Sequence, residues 1–61
     1  MKNYRLYIQF FSPDGLATSQ LEVTVTAQNL FEAVKIKADE LVDGGYSLNE
    51  FVIYKVIPDV D

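Results

Sequence analysis

The sequence contains no cysteine, no histidine and no tryptophan, and several classes of chemistry go with them. Without Cys no disulfide can staple the chain, and without Cys or His the usual structural zinc ligand sets cannot be assembled. Ser-His and Cys-His nucleophile pairs are excluded for the same reason. Glycine and proline are scarce, at three and two residues. The one glycine pair, Gly44-Gly45, is expected to end a helix rather than open one, so there is no Gly-rich phosphate loop. Positive charge is also in short supply: five Lys and Arg stand against nine Asp and Glu, for a formal net charge of -4. With no basic cluster, direct nucleic-acid binding is not expected. No apolar run approaches the ~20 residues that cross a bilayer, and the opening stretch MKNYRLYIQFF alternates where a signal peptide would be continuously apolar. A cytoplasmic protein without membrane contact is the expectation.

What remains is a 61-residue, 49% hydrophobic chain, read as one small acidic domain, 1–61. A chain of this size buries only about 60% of the surface its unfolded form exposes, so a single core leaves it marginally stable. Oligomerisation is the common supplement that the composition leaves open.

Two alternating segments flank the turn signal Ser12-Pro13-Asp14-Gly15 and define a β-hairpin, with strands expected over about 2–11 and 19–27. A loop of Pro13, Asp14 and Gly15 alone would set Ile8 against Gln20 and Leu6 against Glu22, core against polar. One residue must therefore be absorbed within GLATS, so that Leu6 and Ile8 share a face with Leu21 and Val23. Asn29 as N-cap, Glu32 three residues on and Gly44 or Gly45 as the stop predict a helix over about 30–43. Its core arc is expected to hold Leu30, Phe31, Ala33, Val34, Ala38, Leu41 and Val42. A third strand, about 50–57, is rich in β-branched and aromatic residues and ends before Pro58, leaving a frayed tail at 58–61. The fold class is α+β: a ββαβ two-layer domain with a three-stranded antiparallel sheet, order 2-1-3, covered on one face by a single helix.

Two surfaces follow. Tyr4, Leu6, Ile8 and Phe10 are expected to face the helix, which sends Tyr7 and Phe11 outward. On strict alternation Lys55 shares a face with Phe51 and Ile53, which assigns Val52, Tyr54 and Val56 to the helix side. Tyr7, Phe11, Phe51 and Ile53 then form an exposed patch suited to a homodimer or partner interface. On the helix, Glu32, Asp39, Asp43 and the flanking Glu40 surround Ile36, expected to be an apolar residue far from the core. This is a candidate acidic binding surface. Asp39 and Asp43 alone supply too few oxygens for a dedicated cation site, so no metal or other cofactor is expected. So short a chain leaves little volume for both a core and a catalytic cleft, and a non-enzymatic role is expected.

In its ββαβ order, acidic balance and small size the chain resembles phage-encoded inhibitors of host enzymes, including the uracil-DNA glycosylase inhibitors that act as DNA mimics. The resemblance covers organisation and no motif, so it carries over no residue's role. Two functions are therefore weighed. One is a non-enzymatic interaction module, a homodimer that binds and modulates another, unidentified protein. The other is a DNA-mimic inhibitor of a host DNA-binding enzyme such as a DNA-repair glycosylase.

Overall fold

The computed structural model describes residues 1–59, in the order β1 (Lys2–Phe11), β2 (Ala17–Ala27), α1 (Leu30–Asp43), β3 (Phe51–Pro58). The three strands form one antiparallel sheet in the order β2-β1-β3, with the helix packed on one face. Among the described residues no helix is long and apolar enough to cross a membrane.

The hairpin is closed by Ser12-Pro13-Asp14-Gly15, where the Gly15 amide donates to the Ser12 carbonyl at 2.9 Å and the Ser12 amide to the Leu16 carbonyl at 2.8 Å. Gly15 sits at φ 88°, a conformation that a side chain would disfavour. Asp14 accepts from the Ser12 hydroxyl and the Leu16 amide. Leu6 pairs with Val23 and Ile8 with Leu21, the register that joins the apolar rows of both strands. The odd residue is absorbed between Gln20 and Ala17, inside GLATS as expected, where Gln9 and Phe11 on β1 span one residue more on β2. β2 thus begins at Ala17, two residues before the expected 19.

Asn29 caps the helix by accepting from the Glu32 amide at 2.8 Å, and Glu32 reaches back to the Gln28 amide at 3.1 Å. At the other end Gly45 takes φ 104° and the Tyr46 amide donates to the Leu41 carbonyl, a Schellman-type stop. Two buried clusters hold the layers together. Tyr4, Leu6, Val25, Ala27 and Ala33 form one, and Ile8, Leu41 and Phe51 the other, with Val23 and Ile53 packed against both.

The helix is rotated relative to the arc read from the sequence. Ile36 packs against the first cluster rather than standing among the acids, while Phe31 is 83% exposed and Leu30 and Val42 are also exposed. The stripe that meets the sheet runs through Ala33, Ile36, Ala38 and Leu41. Ala33 and Leu41 are the helix's buried residues.

The face assignment of β3 is reversed for residues 51–54 and holds for Lys55 and Val56. Tyr7 pairs with Lys55 but Ile8 with Ile53, so a bulge at Tyr54 puts two consecutive residues, Tyr54 and Lys55, on the outer face. Phe51, Ile53 and Val56 consequently point to the helix, and Val52 and Tyr54 away from it. Strict alternation fails at that one position. The tail expected from 58 is in part structured: β3 includes Pro58, and the Asp59 amide donates to the Asn3 carbonyl at 2.9 Å. Residues 60 and 61 of that tail lie outside the described residues.

Candidate functional site

The uncovered face of the sheet is built from three rows. β1 contributes Arg5, Tyr7, Gln9 and Phe11; β2 contributes Gln20, Glu22, Thr24 and Thr26; β3 contributes Val52, Tyr54, Lys55 and Ile57. Its apolar part is continuous. Tyr7 and Tyr54 lie with ring centroids 6.3 Å apart and planes at 47°, and the Lys55 ammonium sits 5.2 Å from the Tyr7 centroid. Cation and ring attract through the ring's quadrupole. Next to this pair, Phe11, Val52 and Tyr54 line a hollow of about 330 Å³ together with Gln9 and Gln20. Val52 is 49% and Tyr54 50% exposed, while Tyr7 and Phe11 are half-buried against them.

Polar contacts hold this surface in shape. The Gln20 amide donates to Gln9 Oε1 at 2.9 Å, and Gln9 in turn donates to the Ser19 carbonyl at 3.0 Å, which braces the wall of the hollow. Arg5 spans the sheet: its Nε lies 3.2 Å from Glu22 on one side, and its terminal nitrogen donates to Asp59 at 3.0 Å on the other. The guanidinium fork suits such a bridge.

Of the residues proposed from the sequence for the outer patch, the structure brings Tyr7 and Phe11 together there. Phe51 and Ile53 do not belong to it, because the bulge turns both into the core. Val52 and Tyr54 take their place. A strict period of two could not find them, since one inserted residue reverses every face before it.

The acidic helix surface is more dispersed than its composition suggests. Glu32 is occupied by the N-terminal cap. Asp39 pairs with Lys35 at 2.9 Å and Glu40 with Lys37 at 3.2 Å, so two of the acids are neutralised by neighbours on the same helix. The Asp39 hydrogen bond holds the Lys35 ammonium above its ordinary pKa. Asp43 is exposed, and Ile36, the expected apolar anchor, is turned to the sheet. Among the described residues no three potential metal ligands converge.

Compared with protein-family models, with curated proteins and with solved structures, the chain matches none.

Proposed function

We infer that this chain is a non-enzymatic interaction module that works as a homodimer in the cytoplasm and acts by binding another protein. The observation that carries the reading is the outer sheet face, where Tyr7, Phe11, Val52 and Tyr54 form one apolar surface around a 330 Å³ hollow on a domain of 61 residues. Contiguous apolar surface with aromatic anchors and a polar rim marks a protein interface. A second copy fits it. Sheets stack face to face at about 30° with their inner side chains interdigitated. The charges on the same face are largely satisfied within the chain, Arg5 by Glu22 and Asp59 and Lys55 by the Tyr7 ring, so a second copy can cover the apolar part without burying a bare charge. The DNA-mimic reading has weaker support, because Asp39 and Glu40 are paired with lysines and Glu32 serves the cap.

Light scattering or sedimentation tests the dimer. Tyr7→Glu and Tyr54→Glu should each abolish the contact across this face, since either removes an aromatic anchor and sets a carboxylate in its apolar centre. Phe31→Glu, on the exposed helix surface, should leave the mass unchanged. Outer-face variants that assemble as the parent chain does would refute the assignment.

A further inference from the structure

The two edges of the sheet are built differently. β3 carries three devices that blunt an edge: the bulge at Tyr54, a lysine at 55, and a proline at 58. β2 has 11 residues, contains neither Pro nor Lys, and has Glu22 as its one charge. Its single irregularity lies near the hairpin, between Gln20 and Ala17, which leaves Gln20 to Ala27 regular.

The backbone direction of each residue on that edge follows from a few hydrogen bonds. The Asp59 amide donates to the Asn3 carbonyl and the Phe11 amide to the Glu50 carbonyl, so odd residues of β1 bond toward β3. Even residues bond toward β2, as the Ser12 amide does to Leu16. β1 itself has no inserted residue, because each irregularity adds its extra residue to β2 or β3. In an antiparallel ladder directly opposed residues exchange both bonds at every second pair. Tyr4–Val25, Leu6–Val23 and Ile8–Leu21 are therefore the bonded pairs, and the amides and carbonyls of Gln20, Glu22, Thr24 and Thr26 point to the open edge. By the same parity the missing N–H of Pro58 falls on the open edge of β3, where it removes a donor without breaking the sheet.

We propose that the β2 edge pairs with the β2 edge of a second copy, antiparallel and centred on Val23, to give a continuous six-stranded sheet with both helices on one face. This goes beyond the outer-face contact and does not depend on it. Only registers that oppose even residues to even residues can form the bonds, and all of these keep Leu21, Val23 and Val25 on the helix side of both copies. Charge then selects among them. Centring on Glu22 would oppose two like carboxylates directly, which is unfavourable. Centring on Val23 sets Glu22 against Thr24 and Gln20 against Thr26, and uses the regular stretch from 20 to 26 in full. It also covers Leu21, 41% exposed on the helix side of the edge, with the second copy's Val25.

Two measurements test this. Amide hydrogen exchange on the intact protein at NMR concentrations should protect Gln20, Glu22, Thr24 and Thr26 as well as Leu21, Val23 and Val25; fast exchange confined to the even set overturns the proposal. In the mass measurement the parent chain, with both contacts made, should exceed a dimer; Tyr7→Glu removes the outer-face contact, so that variant should fall to an edge-paired dimer, and adding Thr24→Pro should reduce it to one chain. Thr24→Val, which keeps the amide, should leave it a dimer. Proline at 24 removes an edge-facing N–H and no bond to β1, so circular dichroism should be unchanged. A Tyr7→Glu variant that is already a single chain overturns the edge pairing and leaves the outer-face reading standing; the reverse holds if Thr24→Pro alone yields single chains.

Discussion

The two faces of β1 carry comparable apolar side chains and meet different fates. Leu6 and Ile8, on the helix side, are completely buried, whereas Tyr7, the residue between them, is only half-buried beside Tyr54. Arg5 and Gln9 mark the outer row in the sequence, and the single 14-residue helix covers the other one. One helix can cover one face, and among the described residues no second element covers the other. Its stability therefore rests on the inner row, while the outer row stays half-buried or exposed.

The comparison is broken most severely from the inner side. Leu6 is fully buried in the first core cluster, so Leu6→Ala should cost about 2 to 5 kcal/mol. Domains have about 0.05 to 0.15 kcal/mol of stability per residue, so this loss is comparable to the whole stability of the fold. Urea or thermal unfolding should show a variant largely unfolded at room temperature. A loss below about 1 kcal/mol would mean the inner row is not the core.

A second pair of substitutions sharpens the helix's part in the comparison. Ile36 packs on the first core cluster while Phe31 is almost wholly exposed. Ile36→Lys should lower stability by about 1 to 3 kcal/mol, and Phe31→Lys should change it by less than about 0.5 kcal/mol. The opposite order in chemical denaturation would restore the helix rotation that the sequence pattern favoured.

That reversal shows how much of this molecule was legible beforehand. The order of elements, the strand order and the hairpin register followed from Pro13-Asp14-Gly15, from Asn29 with Glu32, and from the requirement that Leu6 and Ile8 share a face with Leu21 and Val23. These are local signals or follow from strict alternation. The helix rotation and the faces of β3 were not legible, for physical reasons. Six of the helix's first nine residues are apolar, so several rotations bury similar area and the pattern does not single one out. In β3 both rows are apolar and Lys55 was the sole marker of an outer face. The marker was sound for Lys55 itself, but the bulge at Tyr54 separated it in phase from Phe51 and Ile53. Half of the outer patch, Tyr7 and Phe11, was thus found from β1, and the other half, Val52 and Tyr54, was missed.

The smallest expected effect concerns the end of the sheet where both faces meet the turns. Asp14 lies in the β1–β2 turn, where the Ser12 hydroxyl and the Leu16 amide hold its carboxyl below the ordinary value of 3.8. Glu50 lies just before β3; it accepts from the Ser47 hydroxyl at 2.7 Å and the Ser47 amide at 3.1 Å, which hold it below 4.5. Both groups bind protons more weakly folded than unfolded. Their contribution is therefore complete above the unfolded values and is lost as pH falls from about 4.5 through the folded ones. Both carboxyls are exposed, so the loss should be small. Thermal unfolding followed from pH 6 downward should show a decline that begins near pH 4.5 and is shallower in an Asp14→Asn, Glu50→Gln double variant. Parallel curves for parent and variant would mean that neither carboxylate supports its turn. Hydrogen exchange should locate any loss in the segments those carboxylates tie, 12–16 and 47–50, and leave Leu6 and Ile8 as protected as before.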